Sequence, residues 1–206
     1  MSYPQFQAAS DYLGALADDD YEKALPSTKY DTREGAVLDG PVELSFMNFP
    51  VAGSAVTYDS CSFTPDSAST ATSMASGEKT LSGVINYDVT LTTPFKLITE
   101  YAKEAGKKIG VITSVSLDHA TPAAYYAKVP SRKQYYDIAV QGLTGTTLDY
   151  LAGGAYLTPD GDGTQENLFD IAAANGWVLA NTNEDIRALN AQSGRVLAID
   201  PNIADA

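Results

Sequence analysis

The 206-residue chain holds one cysteine, Cys61, and one histidine, His119. A single cysteine excludes an internal disulfide and any cysteine-rich zinc knuckle. A single histidine excludes a multi-histidine metal site built by this chain alone. Cations are scarce as well: 13 Lys and Arg stand against 26 Asp and Glu, a formal net charge of −13. That balance opposes nonspecific nucleic-acid binding, which needs clustered positive charge. No apolar run approaches the roughly 18 residues of a membrane-spanning helix. Met1 to Leu16 lack a basic start and a continuous apolar stretch, so they do not read as a secretory signal. A Gly-x-Gly-x-x-Gly nucleotide fingerprint and a Gly-x-Ser-x-Gly elbow are both absent. What remains is a globular composition, 44% apolar and 19% charged, of a length that fits one domain or two.

Residues 1–40 read as a polar, loop-rich N-terminal arm. It carries one short helix near Gln5–Ala17, with Phe6, Tyr12, Leu13 and Leu16 on one side. Asp18, Asp19 and Asp20 read as solvated surface, and Pro26-Ser27-Thr28 and Gly35 as breaks. Residues 41–206 read as a partial α/β domain. Strands are expected at Val51–Tyr58, Lys108–Thr113, within Asp149–Leu157, at Trp177–Asn181 and at Val196–Ile199. Gly83–Val89 reads as a strand or an extended loop. Helices are expected at Ser67–Ser76 (ended by Gly77), Pro94–Ala105, Thr121–Ala127, Ser131–Val140, Gln165–Ala174 and Asn183–Asn190. Strands alternating with helices imply a central, mostly parallel sheet flanked by helices. In such sheets functional groups collect beyond the carboxyl ends of the strands.

Three segments carry chemistry. In Thr64-Pro65-Asp66-Ser67-Ala68-Ser69-Thr70, Pro65 biases Thr64 away from helix and Asp66 is placed to cap one. Ser67 then sits in the first turn, where free N–H groups and the helix dipole favour an anion. The plainer reading is a capped Ser/Thr-rich helix. Ser116-Leu117-Asp118-His119-Ala120-Thr121-Pro122 follows a strand and offers a carboxylate, an imidazole and a hydroxyl. Hard cations take oxygen donors of this kind, although such a pair before a proline is often only a turn. Val129-Pro130-Ser131-Arg132-Lys133 sets Arg132 near a helix start, where a guanidinium can hold two phosphate oxygens. Alone it reads as a surface arginine.

In order and at this spacing the three segments resemble the alkaline phosphatase family. Asp66-Ser67-Ala68-Ser69-Thr70-Ala71-Thr72, continued by Gly77-Glu78-Lys79-Thr80, is similar to the nucleophile motif. His119-Ala120-Thr121-Pro122-Ala123 is similar to the magnesium-site motif, and Ser131-Arg132-Lys133 to the phosphate-binding arginine. The resemblance runs from about Pro41 to Leu197, less specifically past Leu151. It implies hydrolysis of phosphate monoesters through a phosphoserine on Ser67, which would also ligate zinc. Arg132 would grip the phosphate, with Asp66 holding Arg132 in place. Thr121 would supply an oxygen to magnesium, with His119 near the same ion. It further implies zinc and magnesium as cofactors, phosphate monoesters or inorganic phosphate as ligands, and a periplasmic or secreted setting, while the unpaired edges of a truncated sheet favour a homo-oligomer. Asp118 matches no ligand.

The family's Gly-Asp-Gly turn, whose aspartate bridges zinc and magnesium, does not precede Ser67. Gly161-Asp162-Gly163 comes too late to be it. Further aspartates, a glutamate and three histidines expected by resemblance are missing too. The expectation is an incomplete alkaline-phosphatase-like fold, truncated at both ends and inactive alone. The alternative is a non-catalytic module that binds phosphate weakly or self-associates. Asp160–Glu166 reads as a solvated turn rather than a calcium loop, Gly153-Gly154 as a bare turn, and Cys61 as a small packed residue.

Overall fold

The computed structural model describes residues 3–17, 41–51 and 53–203. The acidic triplet 18–20 and the breaks at 26–28 and 35 lie outside the described residues, as does the side chain of Leu16. Chain contacts divide the protein into two compact units, Met1–Ala55 and Val56–Ala206. In the first, helix α1 (Tyr3–Ala17) accompanies a short 3-10 helix at Ser45–Asn48. Phe6 packs on Phe46 with ring centroids 5.0 Å apart, and Ser10 Oγ donates to the carbonyl of Val42 at 2.5 Å.

The second unit is built on four parallel strands: β1 (Gly110–Ser116), β2 (Tyr150–Gly154), β3 (Trp177–Ala180) and β4 (Arg195–Ile199). Their order is β1-β2-β4-β3, and each pairing is parallel, as the alternation of strand and helix predicts. Six helices connect and flank the strands: α2 (Ser67–Ser76), α3 (Ile98–Glu104), α4 (Ala120–Ala123), α5 (Tyr135–Thr144), α6 (Leu168–Ala174) and α7 (Asn183–Ala188). The main core joins Val111, Leu151, Trp177 and Leu197 from the sheet to Leu143, Leu148 and Leu168. Burying such side chains is the principal driving force of the fold.

A second core is rich in alanine, with Ile85, Val129 and Ile138 completing it. Ala68, Ala71 and Ala75 of α2 meet Ala120, Ala123, Ala124 and Ala127 around α4. Side chains this small let the two helices approach closely, which carries the start of α2 towards the end of β1.

Several expectations are corrected. Among the described residues of Val51–Tyr58 there is no strand, and Val51 and Val56 are exposed. Their β-branched composition meets no partner strand. Of the two readings of Gly83–Val89 the structure shows the loop, which makes two isolated bridges, Ile85 with Val129 and Tyr87 with Pro94. Helix α3 begins at Ile98 rather than Pro94 because Pro94 bridges Tyr87 and the Phe95 N–H donates to the Asn86 carbonyl at 2.8 Å. Its buried residue is Thr99, with Leu97 buried just before it, while Ile98 and Tyr101 face outward. Helix α4 is shorter than expected, and α5 starts at Tyr135, so Arg132 lies in the preceding turn.

Gly153 and Gly154 are not a bare turn. They end β2, and a Cβ on Gly153 would stand 2.5 Å from Thr113 Cγ2 and 3.0 Å from the Val115 carbonyl oxygen. Close packing of β2 on β1 is therefore what the glycines serve. Cys61 is exposed rather than packed.

Candidate functional site

The site gathers where α2 begins and β1 ends. Asp66 is extended (φ −91°, ψ 179°), and its carboxylate accepts the Ser69 N–H at 3.0 Å, capping α2 as its position after Pro65 predicts. Ser67 is the first residue of the helix and is half-buried. Among the described residues its hydroxyl has no hydrogen-bond partner. Gly77, at φ 81°, closes the helix in the left-handed conformation.

Arg132 reaches this helix start from the turn before α5. Its N–H donates to the Gly83 carbonyl at 2.7 Å, which fixes the main chain outside α5. Its Nη1 donates to Asp66 Oδ2 at 2.9 Å, with both side chains about one quarter exposed (27% each). Burial alone would raise the Asp66 pKa. The Ser69 and Gly83 N–H groups and the Arg132 guanidinium outweigh it, so the carboxyl is held below its ordinary value.

Arg132 Nη2 lies 3.3 Å from His119 Nε2, and His119 Nδ1 accepts the Thr121 N–H at 3.3 Å. The His119 ring thus stands between the guanidinium and the N–H of Thr121. Thr121 is exposed one turn away.

The structure thus brings together Asp66, Ser67, Arg132 and His119, and sets Thr121 beside His119. Asp118 is fully buried and turned elsewhere; its Oδ2 accepts the Leu157 N–H at 2.9 Å, tying the end of β1 to the loop after β2. The 160–165 segment is a mostly exposed turn in which Asp160 Oδ1 accepts the Gly163 N–H at 3.1 Å.

Three groups at the site were not evident in the sequence. Ser69 Oγ is shared between Asp66 Oδ1 (2.9 Å) and Asp59 Oδ2 (2.8 Å). Gly83 contacts both Asp66 and Arg132 through its main chain. Asp59 is a buried carboxylate, 5% exposed. The only sequence signal for Asp59 is an aspartate at the head of the polar run Asp59-Ser60-Cys61-Ser62, which is also what any surface turn looks like.

The donor set does not make a metal centre by itself. Among the described residues no three His, Cys, Asp or Glu side chains stand together. Of the expected donors, His119 turns one ring nitrogen to the Thr121 N–H and the other to Arg132.

Comparison with known proteins matches the alkaline phosphatase family model over residues 28–152. The chain belongs to that family. It is 40% identical over 103 residues to alkaline phosphatase 4 of Drosophila melanogaster, covering 47% of this chain and 17% of that protein. It is 33% identical over 103 residues to the human tissue-nonspecific isozyme of alkaline phosphatase, covering 46% of this chain and 20% of that one. The chain therefore spans a minor part of these relatives' length. Among solved structures, the alkaline phosphatase of the Antarctic bacterium TAB5 superposes with a TM-score of 0.63 at 29% identity, over 73% of this chain and 43% of that one. The Thermus thermophilus alkaline phosphatase superposes at 0.65 with 28% identity, over 92% and 37%. A variant of the TAB5 protein is described with Mg bound in its M3 site. The neighbours agree with the parallel sheet and its helices, an incomplete alkaline-phosphatase-like α/β fold.

Proposed function

We propose that this chain carries the nucleophile and the phosphate grip of a metal-dependent phosphomonoesterase. The observation that carries the reading is the Asp66–Arg132 ion pair at 2.9 Å, set beside Ser67 at the first residue of α2. Phosphoryl transfer asks a protein chiefly for positioning and charge stabilisation. Arg132 holds the non-reacting phosphate oxygens, with the His119 ring beside the guanidinium. The N–H groups opening α2 face the same anion.

Ser67 Oγ forms a bond to phosphorus as the ester P–O bond breaks. The alcohol leaves with the proton that Ser67 gives up. Water then hydrolyses the phosphoserine and releases inorganic phosphate. Zinc at Ser67 and magnesium at Thr121 and His119 follow from the family resemblance. Among the described residues the donors complete neither site. An exported setting is proposed on the same footing, and a homo-oligomer on the unpaired edges of the sheet. Among the described residues no helix is long and apolar enough to cross a membrane.

The incomplete donor set favours a second reading for the 206 residues by themselves: weak phosphate binding without turnover. A generic phosphomonoester assayed with added zinc and magnesium is expected to show no hydrolysis above background. Metal-dependent turnover lost in Ser67→Ala would overturn that second reading. In a protein with the complete family domain, acid trapping after incubation with inorganic phosphate is expected to place phosphate on Ser67. Trapped phosphate that persists in Ser67→Ala would overturn the assignment of the nucleophile.

A further inference from the structure

We infer that Asp59 is a positioning residue for the Arg132 grip, acting from inside the protein through Ser69, Ser82 and the turn at Gly83. The inference rests on the reading that Arg132 binds phosphate. Asp59 hydrogen-bonds to neither Arg132 nor Ser67. It holds the two groups that hold Arg132.

The geometry has two arms. Asp59 Oδ1 accepts the N–H groups of Cys61 (2.9 Å) and Ser62 (2.6 Å), which folds the run 59–62 into a turn around the carboxylate. Asp59 Oδ2 accepts the hydroxyls of Ser69 (2.8 Å) and Ser82. The first arm runs through Ser69, whose N–H and Oγ both meet Asp66 Oδ1, at 3.0 Å and 2.9 Å. Asp66 Oδ2 then holds Arg132 Nη1 at 2.9 Å. The second arm runs through Ser82 to Gly83, whose carbonyl accepts the Arg132 N–H at 2.7 Å and whose N–H meets Asp66. One carboxylate therefore governs both the guanidinium and the main chain of Arg132.

The proton count gives the contact a direction. Ser69 has one hydroxyl proton and faces two carboxylate oxygens. Given to Asp59, the proton leaves Asp66 Oδ1 with backbone N–H donors, and Asp66 keeps more of its negative charge for Arg132. Given to Asp66, it disperses that charge. Asp59 competes well because it is ionised despite its burial. Desolvation would raise its pKa, but the Ser82 hydroxyl, the Cys61 N–H and the Ser69 hydroxyl together hold it far below the ordinary value.

Asp59→Asn keeps an acceptor for Cys61 and Ser62 but presents an NH2 to Ser69 and Ser82. Both hydroxyls must then accept, and the Ser69 proton passes to Asp66. A structural plug would tolerate that exchange with the site unmoved. A positioning residue would not.

The test uses the full 206-residue chain with 15N-labelled arginine and reads two quantities. Nuclear magnetic resonance of the Arg132 guanidinium reports how firmly it is held, with no need for turnover. Titration with inorganic phosphate reports the grip. Asp59→Asn is expected to broaden and shift the Arg132 guanidinium signals and to weaken phosphate binding about tenfold, the scale of one charge-assisted hydrogen bond. Ser69→Ala, which cuts the first arm and leaves Asp59 in place, should do the same. The double variant should be little worse than Asp59→Asn alone, since that substitution already cuts the arm that Ser69→Ala removes.

Leu168→Val, in the distant main core, controls for general loss of stability and should leave the Arg132 signals in place. Should Asp59→Asn not fold, Ser82→Ala and Ser69→Ala carry the test through the two arms. Unchanged Arg132 signals in all the folded variants, or fully additive effects in the double variant, overturn the positioning role. If the unsubstituted chain binds no phosphate while the Arg132 signals still respond to Asp59→Asn, the phosphate reading fails and the positioning role stands.

Discussion

Asp66 and Arg132 are 66 positions apart in the chain and form an ion pair at 2.9 Å across the start of α2. The same carboxylate caps the helix through Oδ1, so one side chain serves two purposes that substitution can separate. Asp66→Asn keeps a side-chain oxygen for the Ser69 N–H but loses the charge facing Arg132. Asp66→Ala loses both. Urea denaturation should find Asp66→Ala less stable than Asp66→Asn by about 1 kcal/mol, the usual value of a helix cap. Both variants should weaken binding of inorganic phosphate by a similar factor. Equal stability with unequal phosphate affinity would reverse that division of roles.

Ser67 offers the opposite case. Its hydroxyl has no partner among the described residues, and alanine is well tolerated in a first helical turn. Ser67→Ala should therefore change the free energy of unfolding by less than about 0.5 kcal/mol. Thermal or chemical denaturation checks this directly. With stability unchanged, any loss of trapped phosphate in a complete enzyme belongs to the nucleophile and not to the fold.

Two glycines should respond to alanine for different reasons. At Gly77 nothing stands within 4 Å of the new Cβ, and only the φ of 81° opposes it. Gly77→Ala should cost about 1–2 kcal/mol, the penalty for a left-handed L-residue. At Gly153 the Cβ would lie 2.5 Å from Thr113 Cγ2, with Leu117 Cδ2 and the Val115 carbonyl oxygen at 3.0 Å. Gly153→Ala forces β1 and β2 apart and should cost about 1–3 kcal/mol. Loss of amide-exchange protection confined to β1 and β2 would mark Gly153→Ala, whereas Gly77→Ala should perturb only the end of α2.

The difference between those glycines is also the difference between what sequence reveals and what it hides. Helix α2 is legible to the residue, Ser67–Ser76 between Asp66 and Gly77, because its cap and its stop are local chemistry. The four strands are legible as short apolar runs. Gly153-Gly154 looks like a turn because the reason for its glycines lies on another strand. The early start expected for α5 fails for the same kind of reason: the Arg132 N–H is taken by Gly83, 49 residues upstream by number. At the site, the motifs around Ser67, His119 and Arg132 stand out one by one. Asp59 does not, since nothing local distinguishes a buried carboxylate from a solvated one.

Asp149 links the fold to pH. Its Oδ2 accepts from Lys103 Nζ at 2.6 Å and from the Ile109 N–H at 2.9 Å, and its Oδ1 meets Lys108 Nζ at 3.1 Å. These contacts join α3, the approach to β1 and the residue before β2. Burial by itself would raise the pKa of Asp149. Lys103, the Ile109 N–H and Lys108 outweigh it and lower the value from 3.8 to about 2. A carboxyl whose folded pKa is depressed binds protons less readily in the native state than in the unfolded one. Its stabilisation is therefore complete above the unfolded value, near pH 3.8, and is lost as pH falls through the folded value, near pH 2. The contribution is about 2 kcal/mol. Asp149→Asn should be less stable than the unsubstituted chain by about that amount at pH 6, and the gap should close between roughly pH 4 and pH 2. Urea midpoints taken across that range decide the point. A gap as wide at pH 2 as at pH 6 would mean that the shape of the side chain, and not its charge, holds these three elements together.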